Sequence, residues 1–289
     1  MSNPVLERLH RHGLRQRKEL GQHFLADARV QARLVACIAP RPSEAILEYG
    51  AGLGVMTEAL LDAGARVVAV ELDDDLARVL EAELGGRAGF RLVHADLTRV
   101  SADSVRRDLG VPALVVVGNL PYQLTSHVLF GTLDLETGLD RAIFMVQREV
   151  AERIASPPGN RGTGILGVLL HAWHDVTIEM RVKPGAFAPP PRVDSAVVRI
   201  RPRAAGPALG WDERPAFTQL VKSVFAERRK VLRNTLRKFY ELEPPVLAAV
   251  ETTAAVDLGR RPESLAIDEF VRLLRALPES SGARVAEAS

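Results

Sequence analysis

The sequence predicts an α/β protein: a mainly parallel sheet with helices on both faces and an antiparallel edge hairpin, followed by a small all-α domain. Three observations predict it. Five short, nearly all-apolar runs alternate with helical stretches between residues 45 and 155. Strands buried on both faces read this way, and parallel sheets bury both faces. After residue 174, two strand-like runs follow one another with no helix between them; from 212 to 277 the pattern is helical only.

In chain order, a basic arm covers residues 1–20, and Asp27 is placed to cap a helix running to about Ile38. Pro40 and Pro42 then break the chain. The apolar runs are 45–49, 67–72, 90–94, 114–118 and 142–147; the helical stretches between and after them are 55–63, 75–84, 125–133 and 148–155. Runs 176–182 and 193–201 are joined by a loop containing Gly185 and three consecutive prolines, and are expected to pair antiparallel at the sheet edge. Residues 202–211, rich in Pro, Ala and Gly, read as a linker. This organisation gives a catalytic domain over 21–203, a helical domain over 212–277 and a disordered tail over 278–289.

A chain of 289 residues, 47% of them hydrophobic, can bury a full core. Its one cysteine, Cys37, excludes a disulfide framework and an all-cysteine metal site, and the seven histidines show no metal-ligand spacing. No apolar run approaches the roughly 20 residues that span a bilayer, and no apolar core follows the basic N-terminus. A cytoplasmic monomer without a metal is expected. The net charge of +2 conceals two basic blocks: residues 8–18 carry five Lys/Arg and no acid, and residues 222–238 carry seven against Glu227. Separated basic blocks on an otherwise acidic chain suit a polyanion such as RNA.

The first strand runs into Glu48-Tyr49-Gly50-Ala51-Gly52-Leu53-Gly54 and then a helix. Glycines at such a junction let the backbone turn sharply and approach a ligand beside helix N–H groups. A nicotinamide-binding Rossmann turn wants glycine at 55, where this chain has Val55. The tighter G-x-G-x-G spacing with Glu48 ahead of it resembles the first motif of class I methyltransferases, which are Rossmann-like and use S-adenosyl-L-methionine. Glu71, ending the second run, is placed to accept from both ribose hydroxyls of a nucleoside, and Asp96, after the third, from an adenine amine.

The fourth run ends in Asn119-Leu120-Pro121-Tyr122. An exocyclic amine is a poor nucleophile because its lone pair is delocalised into the ring. The Asn119 side-chain carbonyl and the Leu120 backbone carbonyl can both accept from it, which favours a pyramidal nitrogen aimed at a methyl donor. Pro121 restricts Leu120 to extended geometry. Tyr122 offers a ring for an extruded base, a contact worth about 1–3 kcal/mol.

Gly21-Gln22-His23-Phe24-Leu25, the glycine turn, Glu71, Asp96, the tetrapeptide 119–122 and Phe187-Ala188-Pro189-Pro190-Pro191-Arg192-Val193-Asp194-Ser195 occur in that order. Together they resemble the ribosomal RNA adenine N6,N6-dimethyltransferase family, over residues 13 to 275. The resemblance implies dimethylation of two adjacent adenosines in the 3′-terminal hairpin loop of 16S RNA, late in assembly of the 30S subunit, with S-adenosyl-L-homocysteine as product. It places cofactor contacts on His23, Leu25, Gly50, Gly52, Glu71, Leu72, Asp96, Leu97 and Asn119, and it has Phe187 stacking on the base opposite Tyr122. Relatives that methylate large-subunit RNA usually carry isoleucine at the second tetrapeptide position, so Leu120, the triple proline and the helical tail favour the small-subunit enzyme. The chain departs from the family pattern at His23 (usually Asn), Ala51 (Pro), Thr163 (Tyr) and Gly167 (Ser), and the loop 161–166 is expected to be more mobile for it.

In residues 221–239 an apolar stripe, Val221, Val224, Phe225, Leu232, Leu236 and Phe239, lies apart from Lys222, Arg229, Arg233 and Arg237, with Arg228 and Lys230 flanking. This segment, read as one helix, and the arm of residues 8–18, including Arg11, Arg15, Arg17 and Lys18, are expected to hold RNA phosphates. Two other classes stay open: an RNA-binding assembly factor that keeps the fold without the reaction, and an NAD-dependent oxidoreductase, which Val55 and the tetrapeptide disfavour.

Overall fold

A computed structural model describes residues 4–14, 23–227 and 229–278. The chain divides into two compact units, Met1–Ala151 with Thr177–Arg201, and Glu152–Val176 with Pro202–Ser289.

The first unit carries helices α1 (Pro4–Arg11), α2 (Ala28–Ile38), α3 (Val55–Asp62), α4 (Asp74–Leu84), α5 (Ala102–Asp108), α6 (Thr125–Thr132) and the start of α7 (Arg148–Ala155). Its strands are β1 (Phe24–Leu25), β2 (Ala45–Tyr49), β3 (Arg66–Glu71), β4 (Phe90–His94), β5 (Leu114–Asn119), β6 (Leu139–Gln147), most of β7 (His174–Val182), β8 (Phe187–Ala188) and β9 (Ser195–Pro202). The sheet order is β4-β3-β2-β5-β6-β9-β7. The five strands from β4 to β6 run parallel, and β9 is antiparallel to β6. The expected edge pair is present as β9 and β7, with β9 on the inside. A separate two-stranded sheet, β1 with β8, was not expected from the sequence; two residues per strand carry no alternation to read.

All five residues of β2 are buried, as are the last five of β3 and the first five of β5. Asp27 caps α2 through Arg29 and Val30 N–H, as read. The turn before α3 needs its glycines: Gly50, Gly52 and Gly54 have φ of 73°, 58° and 75°. At Gly54 a Cβ would also lie 2.7 Å from Leu80 and 3.0 Å from Leu84.

The basic arm is corrected in part. Residues 4–11 form α1, which buries Val5 and Leu9 against Leu53, Leu76 and Val79. Arg8 is buried with them: its Nη1 donates to the Leu53 carbonyl at 2.7 Å and its Nη2 to Glu58 at 2.7 Å. It therefore serves the fold and not a phosphate. Arg11 is exposed but pairs with Glu83 at 2.9 Å. Arg15, Arg17, Lys18, Arg228 and the tail from 279 lie outside the described residues.

The second unit contains the rest of α7, then α8 (Ile165–Trp173), α9 (Arg214–Ala226), α10 (Leu232–Tyr240), α11 (Pro244–Ala254) and α12 (Ile267–Ala276). It takes in residues 152–176, which the sequence reading assigned to the catalytic domain. The reason is α8, which packs against α9 and α12. Six of its nine residues are buried, so it has no polar stripe from which a helical period could be read. The stretch 202–211 is not a free linker. Trp211 stacks on Trp173 at 5.0 Å, the Trp173 indole donates to the Leu209 carbonyl, and Ala208 N donates to Ala172 O.

The helix expected over 221–239 is two helices. Glu227, at φ −123° and ψ 66°, ends α9, and the first N–H groups of α10 are taken by other carbonyls: Leu232 N by Arg260 O and Arg233 N by Leu258 O. All six residues of the apolar stripe are buried. Nor does the loop around Thr163 hang free. Thr163 is fully buried and its hydroxyl donates to the Pro157 carbonyl at 2.8 Å. A Cβ at Gly167 would stand 3.0 Å from Arg153 O and 3.2 Å from the Thr163 methyl, so the two departures from the family pattern pack against each other.

Replacing Arg8 removes two charge-assisted hydrogen bonds from a buried position. Arg8→Ala is expected to lower the unfolding free energy by about 1–3 kcal/mol in urea denaturation. An unchanged midpoint would mean that α1 does not depend on this residue.

Candidate active site

The ends of the parallel strands carry the polar groups. Tyr49 pairs in register with Val70 on one side and Gly118 on the other, so the next residues of β2, β3 and β5 are Gly50, Glu71 and Asn119. Gly118 is needed for this approach, since a Cβ there would stand 2.7 Å from the Tyr49 carbonyl. Asp96 follows β4 and caps the 3-10 turn Leu97–Arg99. Gly50, Glu71, Asp96 and Asn119 line one cleft of about 280 Å³.

Glu71 organises the cleft. Its Oε2 accepts from Gly52 N at 2.8 Å, and its Oε1 from Leu72 N at 2.9 Å and Asp73 N at 3.0 Å. The carboxylate thus ties the glycine turn of β2 to the end of β3. Burial pushes its pKa up, opposed by these three donors. Asp96 is held below its ordinary value by the Thr98 backbone N–H. It is a standing anionic acceptor.

Asn119 is oriented by its neighbour across the cleft. Its Nδ2 donates to the His23 carbonyl at 3.0 Å, which presents Oδ1 as an acceptor. Leu120 N donates to Met145 O, and among the described residues nothing donates to the Leu120 carbonyl. The Tyr122 hydroxyl lies 3.1 Å from Ser195 Oγ.

The cleft is lined by eleven of the sequence-derived residues: His23, Gly50, Gly52, Glu71, Leu72, Asp96, Leu97, Asn119, Leu120, Pro121 and Tyr122. Leu72 stands out as a large apolar side chain 54% exposed, available to a flat ligand. Leu25 instead lines a second, mainly apolar cavity of about 420 Å³ behind the glycine turn, together with Val5, Gln31, Glu48, Met56 and Asn119. Phe187 does not meet its expectation. Its ring is 5% exposed and packed in the core, because β8 pairs with β1 and sets Phe187 opposite Leu25. Next to Tyr122 stands the ring of His23.

Two further residues, one lining the cleft and one fully buried beneath Glu48, were not read from the sequence. Asp73 lines the cleft and caps α4; an aspartate before Asp74 and Asp75 was the available signal. Thr57 donates to Glu48 Oε2 at 2.6 Å, and no spacing rule points to it.

Of the expected phosphate ligands, Lys222 is exposed on α9, Arg229 and Lys230 are exposed between the helices, and Arg233 and Arg237 are exposed on α10. Arg233 also pairs with Glu251 at 2.6 Å.

The chain matches the family model described as ribosomal RNA adenine dimethylase over residues 13–277. It is 47% identical over 276 residues to a ribosomal RNA small subunit methyltransferase A from Anaeromyxobacter dehalogenans (strain 2CP-C), covering 93% of this chain and 96% of that one. To the protein of the same name from Myxococcus xanthus (strain DK1622) it is 41% identical, with 93% of each chain covered. Among solved structures, the 23S rRNA methyltransferase ErmE aligns with a TM-score of 0.67 at 26% identity, over 88% of this chain and 99% of that one. A dimethyladenosine transferase from Plasmodium falciparum aligns with a TM-score of 0.68 at 22% identity, over 87% and 96%, and shares the fold. The fold is that of a class I methyltransferase.

Glu48 is 1% exposed, and burial pushes its carboxyl from 4.5 up to about 8. The folded state therefore keeps a proton that the unfolded chain releases above pH 4.5, and stability falls as pH rises from 4.5 to 8. Glu48→Gln should remove that loss, melting higher than the parent at pH 8 and nearly level with it at pH 4.5. Parallel melting curves across this range would contradict the assignment.

Proposed function

The chain belongs to the ribosomal RNA adenine dimethylase family, and on that premise we propose that it transfers methyl groups from S-adenosyl-L-methionine to the N6 atoms of two adjacent adenosines in the 3′-terminal hairpin loop of 16S ribosomal RNA. It is an RNA adenine-N6 methyltransferase, and each turnover leaves S-adenosyl-L-homocysteine. The observation that carries the reading is the orientation of Asn119, whose amide nitrogen is held by the His23 carbonyl. Its oxygen is left as an acceptor in the same cleft as Glu71 and Asp96.

In this reading Glu71 takes the ribose hydroxyls of the cofactor and Asp96 its adenine amine. Leu72 and Leu97 lie against the adenine, Gly50 and Gly52 let the backbone approach, and Leu25 borders the amino-acid end. Asn119 Oδ1 and the Leu120 carbonyl accept from the target amine, Pro121 fixes that carbonyl, and Tyr122 stacks on the base. Held by these residues, S-adenosyl-L-methionine would supply an electrophilic methyl group with its sulfonium as leaving group, and the amine held by Asn119 and Leu120 would take the methyl and release its proton to solvent. Positioning and electrostatics do the work, with no covalent enzyme intermediate and no metal.

The target base must leave its stack, which costs a few kcal/mol and least where it is unpaired. Lys222, Arg229, Lys230, Arg233 and Arg237 are proposed as phosphate contacts, as are Arg11, Arg15, Arg17, Lys18 and Arg228. Among the described residues no helix is long and apolar enough to cross a membrane. The proposed setting is the cytoplasm, with the protein acting as a monomer on an assembling 30S particle.

Methyl transfer from labelled S-adenosyl-L-methionine to undermethylated 30S and 50S subunits tests the reaction. Dimethyladenosine is expected in 30S alone, with Asn119→Ala slower by on the order of 10²–10³-fold, the usual loss for a positioned polar group. Label in 50S would move the protein to the large-subunit enzymes, and RNA binding without transfer would leave an assembly factor. For the phosphate contacts, log affinity should fall with log salt by about 0.7–0.9 per phosphate neutralised. Arg229→Ala and Lys230→Ala should each flatten that slope, and a slope that neither variant changes would remove these residues from the interface.

A further inference from the structure

We propose that Arg148, Arg181 and Lys183, gathered around Asp194, form a phosphate clamp that holds the RNA backbone beside Tyr122. The proposal rests on the preceding reading, that the cleft receives an adenosine of RNA. Neither basic block of the sequence, 8–18 or 222–238, contains these residues.

Strand order brings them together at the cleft end of the sheet. β6 lies beside β5 with Met145 level with Asn119, and beside β9 with Gln147 level with Ser195. Arg148 follows Gln147, and its N–H donates to the Asp194 carbonyl at 2.9 Å. Arg181 and Lys183 come from the end of β7, the strand on the far side of β9. Ser195, which follows Asp194, has its Oγ 3.1 Å from the Tyr122 hydroxyl. The cluster therefore stands one residue away from the anchor of the ring proposed to stack on the base.

One carboxylate gathers the three cations. Lys183 Nζ donates to Asp194 Oδ2 at 2.9 Å, and Arg148 Nη1 lies 3.8 Å from the same oxygen. The Lys183 hydrogen bond holds Asp194 below its ordinary value, and the charges of Lys183, Arg148 and Arg181 add to it. Three cations on one carboxylate leave a surplus of positive charge. Of the acids nearby in the chain, Glu179 is paired with Arg199 at 2.9 Å, and the exposed Glu149 is offset in charge by the exposed Arg192. The Lys183 side chain is 80% exposed, and Arg148 and Arg181 are exposed too, so the surplus faces solvent.

A fixed positive surplus beside the cleft suits the backbone of the substrate. An adenosine drawn into the cleft carries phosphates on both sides, and cations next to it set the position of the strand without reading its sequence. Asp194 keeps the long side chains collected before RNA arrives, so less of their freedom is lost on binding. The backbone is thereby held on the same unit that carries Asn119 and Leu120.

The test compares the unmodified chain with Lys183→Ala, Arg181→Ala and Lys183→Arg, and with Arg107→Ala as a control for net charge. Arg107 is exposed in the last turn of α5, which leads into the opposite end of β5. Three quantities are measured: affinity for the 16S 3′-terminal hairpin across a salt series, S-adenosyl-L-methionine affinity by calorimetry, and kcat/KM on undermethylated 30S subunits. Lys183→Ala and Arg181→Ala are each expected to flatten the slope of log affinity against log salt by about 0.7–0.9. Low-salt RNA affinity and kcat/KM should fall together by on the order of 10-fold, the size of one charge-assisted hydrogen bond, with cofactor affinity unchanged. Lys183→Arg should keep the slope and most of the activity. Unchanged slopes in both alanine variants would overturn the proposal, and so would an equal flattening in Arg107→Ala, which would mean net charge alone. Lower kcat/KM on 30S subunits with unchanged hairpin binding would overturn it as well, and give the cluster to a protein of the particle. A slope that depends on Lys183 and Arg181 in a chain that methylates neither subunit would keep the clamp and overturn the reaction.

Discussion

The site depends on the register of three strands. β2 lies between β3 and β5 with Tyr49 level with Val70 and Gly118, and the residues that follow are Gly50, Glu71 and Asn119. A shift of one residue in either neighbour would turn an acid or amide from the cleft into the core, because successive side chains point to opposite faces. The register is held by apolar residues on both faces of all three strands and sealed at the top by Gly52 N donating to Glu71. Gly118 lets the strands meet there without a Cβ in the way.

Around this register the acids differ in environment. Burial raises both Glu48 and Glu71, and the charge of Glu71 raises Glu48 further. Asp96, less enclosed and held by the Thr98 backbone N–H, stays ionised. The acids near the glycine turn are thus governed by desolvation, and the acid beyond it by hydrogen bonds to its charged form.

Basic residues in the chain serve different ends according to burial. Arg8 sits in a basic run, yet its guanidinium holds the glycine turn through Leu53 and reaches Glu58. Arg141, which no motif marked, is buried and joins the end of α2 to Glu44 and Asp140. Arg229, Lys230 and Arg237 are exposed on the helical unit, whose own core is built on Trp173, Trp211, Phe217 and Phe270. Charge density along a sequence marks where cations are, and packing decides which of them face solvent.

By itself the sequence determined the alternation of buried strands and helices, the glycine turn, the acids Glu71 and Asp96 and the tetrapeptide from Asn119 to Tyr122. These are local signals: apolar runs, forced glycine conformations and polar groups at strand ends carry their meaning within a few residues. Tertiary structure decided the rest. It put α8 with the C-terminal helices, broke the expected helix at Glu227, packed the supposed linker under Trp211, buried Phe187 and brought the ring of His23 to Tyr122. Each of these outcomes turns on a contact between residues far apart in the chain, such as Leu232 N with Arg260 O or His23 with Pro189. A side chain's neighbours across such a contact are set by how whole elements pack, and no spacing within a single segment encodes them.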